Sequence, residues 1–465
     1  MGKDDVVSRF DLTSPTDFRY EVEELKPYLS EEAFVRYKSK VEAALAQVLA
    51  ERRVIKTEYA DEIVKASQEV TAAEVYAEEE KTRHDIIAQV NMIKKRVSDG
   101  AKTAVHRTAT SYDIVDTANA WRYKDAFNNV IIPDMAALEK EFIRMARDGK
   151  DVLQIGRTHL QHAEPITFGF AMAWYVSRFG RRIVDVVKTA NSLEGKFSGA
   201  VGAYNASALF VDDPEQFEAD VLNKCNMNPT EVSTQIVQPE PQADLVHYTM
   251  TSFGILANWA DDMRNLMRPE IGEVGQPRGK DISASSTMPH KRNPIGLENI
   301  ESLWKQTWPV MNTVYQDLIS NHQRDLTNSA SQRFLPVAFT NFDFSVRRAT
   351  RVAQSLKPHA GNMKENFDMS KDKIIAEPLQ LLLASYGHPD SHKYVGDMAD
   401  ESVKTGIPLT EMVAADPSLK PFLDQFTPQQ RQIISDPTKY LGVASKKAQE
   451  VADVWEVNLK AAGLW

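Results

Sequence analysis

Between residues 244 and 268 the chain has no proline, and Leu245, Tyr248, Ser252, Ile255, Leu256, Trp259, Met263 and Leu266 recur mostly three and four positions apart. Side chains at that spacing share one face of an α-helix, so the segment reads as one helix about 40 Å long at roughly 1.5 Å per residue. A helix of this length buries its apolar face only against other long elements. Ile183, Val186, Val187, Ala190 and Leu193 repeat the pattern earlier, and Ile300, Leu303, Trp304, Thr307, Val310, Met311, Val314 and Leu318 repeat it later. Pro309 is expected to kink that last helix. Its apolar arc, widened by Trp308 and Tyr315, is too broad for a one-sided surface helix. Strand-type alternation is scarce. The expectation is an all-α fold built on a long-helix bundle, with faces wide enough to be shared between subunits.

At 465 residues and 42% hydrophobic composition the chain can bury more than one core. Gly100 and the irregular run to Thr110 separate a charged, Ala- and Glu-rich region from the bundle, and Gly361-Asn362 closes it. The expected division is residues 1–110, 111–364 and 365–465, the last a set of shorter helices broken at Gly387-His388-Pro389, Gly406-Ile407-Pro408 and Pro417. A net charge of −10 argues against general nucleic-acid affinity, so local basic clusters must account for any anionic substrate. The lone Cys225 excludes an intrachain disulfide and a cysteine metal cage, and suits a reducing cytosol. The N-terminal MGKDDVVSRF lacks the apolar core of a signal peptide, and no run of 18 apolar residues exists to span a membrane. A cytoplasmic enzyme without membrane or nucleic-acid partners is expected. No Gly-rich triphosphate loop, internal repeat or metal-ligand cluster is evident.

Four polar segments carry the chemistry. Residues 285–294, SSTMPHKRNP, place two hydroxyls, a His, two cations and an Asn amide in a stretch poor in helix formers. Free backbone N–H groups with Lys291 and Asn293 beside them can hold a carboxylate or a developing oxyanion, and Ser285 or Ser286 can move a proton. An ordinary polar surface loop is the alternative. Thr110-Ser111-Tyr112-Asp113 opens a helical run, and taken alone it reads as an N-capping cluster before it reads as a functional one. Residues 156–165, GRTHLQHAEP, concentrate titratable groups between two apolar helical stretches. A histidine there suits acid–base work, or simply caps a helix. Arg324 to Arg333 carries two arginines and hydroxyls at a spacing that fits a phosphate or a solvated charged surface.

Together the segments resemble, in the same chain order, the three signature regions of the fumarase/aspartase superfamily, and in detail the adenylosuccinate lyases. TSYDIVDTAN resembles the first region, GRTHLQHAEPITFG the second and SSTMPHKRNPIGLEN the third. TRHDI at 82–86, SGAVGAYN at 198–205, STQ at 233–235, QRDLTNSASQR at 323–333, AEPLQ at 376–380 and Arg19-Tyr20 extend the resemblance over residues 19–380.

The resemblance implies a three-domain fumarase/aspartase-like protomer, a homotetramer whose core is a helix bundle from four chains, and active sites that each draw on three subunits. It implies no cofactor and no metal. The implied reaction is β-elimination of fumarate from adenylosuccinate and from the succinylated aminoimidazole carboxamide ribotide of purine synthesis. Ser285 is then the general base and His159 the general acid. His84 matches a second active-site histidine, Glu298 an acid that orients a histidine, and Lys291 the cation beside the succinyl group. Thr110, Ser111, Thr158, Gln235 and Asn293 are the implied succinyl-side contacts, and Ser286 and Met288 further implied substrate contacts. Arg19, Tyr20, Arg324, Ser329 and Arg333 are implied to hold ribose and phosphate, and Asp85 to orient the neighbouring site.

Two positions depart from the pattern: Ala284 stands where the loop usually opens with Gly, and Pro239 where relatives carry an Arg four residues after the Gln of STQ. Ala284 is tolerated only at negative φ. The alternatives are another superfamily lyase, of argininosuccinate or carboxymuconate type, and a catalytically silent helical scaffold. The phosphate set argues against the first, and the presence of both Ser285 and His159 against the second.

Overall fold

A computed structural model describes residues 12–277, 287–288 and 290–465. Ser285 and Ser286, with Ala284, lie outside the described residues, so the part of the signature loop that holds them has no structural account here. Helices dominate the rest. The relevant ones are α1 (Glu31–Glu51), α2 (Asp85–Lys94), α3 (Ser111–Ala126), α4 (Ile132–Asp148), α5 (Phe168–Asn191), α6 (Glu240–Leu266), α7 (Ile295–Thr307), α8 (Val310–Gln316) and α9 (Leu335–Ser355). The long helix read from the spacing at 244–268 is α6. The fold is all-α, as the periodicity implies.

The chain packs into two compact units, each assembled from separated segments: residues 1–135, 181–256 and 302–347 in the first, and 136–180, 257–301 and 348–465 in the second. The boundaries fall inside α5, α6, α7 and α9 and close to the start of α4, so no linker marks them. In the first unit the core is aromatic. Phe339 stacks edge-on to Tyr123 and Phe127 at centroid distances of 5.3 and 4.9 Å, and Phe253 lies 5.7 Å from both Trp304 and Phe342. In the second unit Phe142 meets Trp259 at 5.2 Å and Phe179 at 5.9 Å, and Ile375, Leu379, Leu383, Leu409 and Leu419 form a C-terminal cluster. Rings of this size bury the most apolar area per residue, and edge-on pairs add to it.

Pro309 does more than kink its helix. Helix α7 ends at Thr307 and α8 begins at Val310, with Pro309 as its N-cap, because proline has no N–H to continue the ladder. The C-terminal breaks at 387–389 and 406–408 fall between helices as read, with Gly406 left-handed at φ 73°.

The segment at residues 156–165 lies between two helices as read, Ile132–Asp148 and Phe168–Asn191, but overturns the helix-cap alternative for its histidine. It forms a β-hairpin, β1 (Leu153–Thr158) paired antiparallel with β2 (Gln161–Thr167), with Thr158 opposite Gln161. His159 is therefore not a helix cap. It occupies the two-residue turn with Leu160, at φ 52° and 62°, the left-handed pair of a type I′ turn that Asn-Gly usually supplies. Non-glycine residues in that region are held by their surroundings at a cost of order 1–3 kcal/mol, and such positions cluster at functional sites.

Candidate active site

In the first unit, six of the expected residues line one cleft of about 370 Å³: His84, Asp85, Ser111, Gln235, Ser329 and Arg333. Each is delivered by a helix end or a tight loop, where polar groups are not consumed by the backbone ladder. His84 is the N-cap of α2, its Nδ1 accepting the Ile87 N–H at 3.4 Å, and Asp85 Oδ1 accepts the Ile86 N–H at 2.8 Å. Ser111 opens α3, where Asp113 Oδ2 accepts the Thr110 N–H at 2.7 Å. The capping reading of Thr110 to Asp113 is therefore correct, and it also sets Ser111 at the cleft.

Gln235 is held from both sides. Its N–H donates to the Gln323 carbonyl at 3.3 Å, and two residues on, the Val237 N–H donates to Asp116 Oδ2 at 3.0 Å. Burial pushes the Asp116 carboxyl up to about 6. Ser198 and Ser233 share a hydroxyl hydrogen bond of 2.5 Å. Beneath them lies a fully buried ion pair between Lys196 and Asp113. Lys196 Nζ also donates to the Gly199 carbonyl at 3.1 Å, and Asp113 also accepts the Gly199 N–H at 3.3 Å. One carboxylate thus ties the start of α3 to the SGAVGAYN segment. Removing one partner of such a pair strands a buried charge. Lys196→Met is expected to lower stability by about 3–5 kcal/mol, read by chemical denaturation, with the double variant Lys196→Met/Asp113→Asn losing much less.

Lys38 escaped the sequence reading. It is 4% exposed on α1, with Nζ 3.8 Å from Asp85 Oδ2, and burial pulls its ammonium below the usual lysine range. Its position on an apolar helix face resembles any solvated lysine, and only the fold brings Asp85 to it. Arg19 and Tyr20 follow a short turn at Pro15–Asp17, and the Tyr20 ring packs on Phe344 at 5.4 Å. Neither is among the cleft-lining side chains.

The second unit carries the hairpin of residues 153–167 and the described residues of the loop before α7. Thr158, His159 and Leu160 project at the hairpin tip, all exposed, with Leu160 at 81%. The hairpin base is anchored by Glu273, a fully buried carboxylate. It accepts from Arg157 Nη2 at 2.6 Å, Gln154 Nε2 at 2.7 Å and Asn366 Nδ2 at 2.8 Å. His162, which shares the segment, is instead tied to Ser370 Oγ at 2.8 Å through Nδ1. After the undescribed stretch, Met288 and Lys291 are exposed, and Glu298 is exposed in the first turn of α7. Asn293 is half-buried and lines a cavity of about 1240 Å³ with His290, Arg292, Lys357 and His359. Among the described residues no group of three or more His, Cys, Asp or Glu is arranged to hold a metal ion, and no helix is long and apolar enough to cross a membrane.

Comparison with known proteins decides the family. Residues 3–307 match the lyase family and residues 320–434 the adenylosuccinate lyase C-terminal family. The chain is 33% identical over 451 residues to the adenylosuccinate lyase of Pyrococcus abyssi, covering 95% of this chain and 98% of that protein. The chain belongs to the adenylosuccinate lyase family. The adenylosuccinate lyases of Pyrococcus horikoshii and Archaeoglobus fulgidus agree, at 31% and 29% identity, each over 95% of this chain and 98% of the relative. The fold is that of the wider superfamily. A 3-carboxy-cis,cis-muconate lactonizing enzyme from Pseudomonas putida superposes with TM-score 0.82 over 95% of this chain and 99% of its own, at 22% identity. A fumarate lyase from Mesorhizobium sp. BNC1 superposes with TM-score 0.81 over 93% and 98%, also at 22%. Likeness at that identity speaks for the fold alone.

Proposed function

We propose that the protein is a C–N lyase that releases fumarate from adenylosuccinate, giving AMP, and from the succinylated aminoimidazole carboxamide ribotide, giving the free carboxamide. The observation that carries this reading is the first-unit cleft. It draws His84, Asp85, Ser111, Gln235, Ser329 and Arg333 from four separated stretches of a chain whose family acts on such substrates.

Ser285 removes the proton on the carbon beside a succinyl carboxylate. The charge that builds there is an aci-carboxylate, stabilised by Lys291 and by loop amides. His159 protonates the departing nitrogen, with His84 as the second histidine and Glu298 orienting a histidine. Thr110, Ser111, Thr158, Gln235 and Asn293 receive the succinyl end, and Ser286 and Met288 are further substrate contacts. Arg19, Tyr20, Arg324, Ser329 and Arg333 receive ribose and phosphate, and Asp85, beside Lys38, orients the neighbouring part of the substrate. The division into residues 1–110, 111–364 and 365–465, a cytoplasmic location and a homotetramer with shared sites belong to the same reading. The exposed hairpin tip supports the tetramer, since a general acid fully open to water acts only once a surface covers it.

The direct test is release of fumarate from adenylosuccinate by the purified protein. The phosphate end has its own test. Arg324→Ala and Arg333→Ala are each expected to raise KM for adenylosuccinate by about tenfold to a hundredfold, with a smaller loss of turnover, because each removes a charge-assisted hydrogen bond. Elimination from argininosuccinate together with inertness toward both purine substrates would leave the reaction class standing and reject the substrate.

A further inference from the structure

We infer that Tyr112 determines how the protein grips the phosphate end of its substrate, by setting the plane of Arg324 and adding a donor of its own; this rests on the reading of Arg324 as a phosphate contact. Tyr112 was legible only as a member of a capping cluster. In the structure it lines the same cleft as Ser111 and Arg333 and is half-buried there.

The Arg324 guanidinium lies over the Tyr112 ring, 4.2 Å from its centroid. At that distance the cation sits on the negative face of the ring, so its plane is fixed by stacking as well as by hydrogen bonds. Nη2 donates to the Tyr112 hydroxyl and Nη1 donates to Asn328 Oδ1 at 2.6 Å. Both acceptors are neutral. Arg324 Nε is buried and has no partner. A guanidinium whose direct hydrogen-bond acceptors are neutral oxygens is less neutralised toward an incoming anion than one paired with a carboxylate.

The Tyr112 hydroxyl is used as an acceptor by Arg324. No described residue accepts a hydrogen bond from that hydroxyl, and because Tyr112 lines the cleft its O–H is available to a ligand there. An oxygen that accepts from a cation is also a stronger donor through its own O–H. A phosphate oxygen reaching Arg324 therefore meets a second donor on the same side chain pair. Arg333 lines the same cleft as Tyr112 and offers a second cation to the same anion.

The arrangement separates two contributions that substitution can resolve. Tyr112→Phe keeps the ring and removes the hydroxyl. It is expected to raise KM for adenylosuccinate and the dissociation constant of AMP about threefold to tenfold, as loss of one hydrogen bond does. Tyr112→Ala removes both, and about tenfold to fiftyfold is expected. Turnover should stay within about twofold in both, and inhibition by succinate, which lacks a phosphate, should not change. A merely structural role would move both ligands alike. Steady-state kinetics and calorimetry with AMP and with succinate, with helix content checked by circular dichroism, provide the readings. If Arg324→Ala weakens AMP binding while Tyr112→Phe and Tyr112→Ala do not, the inference about Tyr112 is wrong and the phosphate reading stands. If Arg324→Ala itself leaves AMP binding unchanged, the phosphate reading fails first.

Discussion

Ser285→Ala and His159→Gln are each expected to lower turnover by about 10²–10⁴-fold or more, with the assembled protein still folded, because each removes one of the two groups proposed to move a proton in the transition state. The effect should fall on kcat far more than on KM. Gln in place of His159 keeps a polar side chain at the hairpin tip but has no proton to give. The turn at His159 and Leu160 already stands in the left-handed region, so the substitution adds little further strain. For Ser285→Ala the loop backbone is unaltered in chemistry and only the oxygen proposed to accept the proton is lost. Turnover within about threefold of the wild type in either variant, measured by fumarate release, would remove that residue from its role. His162→Gln is the contrast. That side chain is engaged with Ser370, and its substitution should leave turnover within about tenfold.

The long helices were legible because residues at three- and four-fold spacing report one face regardless of what covers it. Helix α6 and the split at Pro309 follow from that rule and from the missing proline N–H. The hairpin was not legible for an equally physical reason. Its strands do not alternate cleanly between buried and exposed positions, and its turn is His159-Leu160 rather than a glycine-bearing pair. The signals present were Ile155, Thr158, Ile166 and Thr167, β-branched residues around Pro165, which suits an edge strand. The two compact units left no trace in composition, because the chain passes from one to the other mostly within continuous helices rather than through loops.

In the candidate site, motif residues such as His84, Ser111 and Arg333 could be named from their segments. The residues that position them could not. Lys196 and Asp113 are 83 positions apart, and Glu273 gathers Gln154 and Arg157 from 119 and 116 positions before it and Asn366 from 93 positions after it. Such partners carry no local pattern. A buried charge is recognisable only once the fold shows what neutralises it.

The second large effect tests assembly. Within one chain His84, Ser111, Gln235 and Arg333, proposed to grip the substrate, belong to the first compact unit, whereas His159, Lys291, Asn293 and Glu298 belong to the second. If each site draws these sets from different subunits, a tetramer mixed from His159→Gln and Ser285→Ala chains contains some sites in which both residues are intact. Two preparations that are each nearly inactive should then regain activity on mixing and reassembly. With equal, random mixing of chains and His159 and Ser285 supplied by different subunits, about a quarter of the sites are intact, so the mixture should turn over at least ten times faster than either parent. The increase should follow the rate of subunit exchange, which native mass spectrometry of differently tagged chains reports. Exchange demonstrated by mass, with activity still at the level of the parents, would show that His159 and Ser285 act within one chain, and the shared-site arrangement would have to be abandoned even if both residues are catalytic.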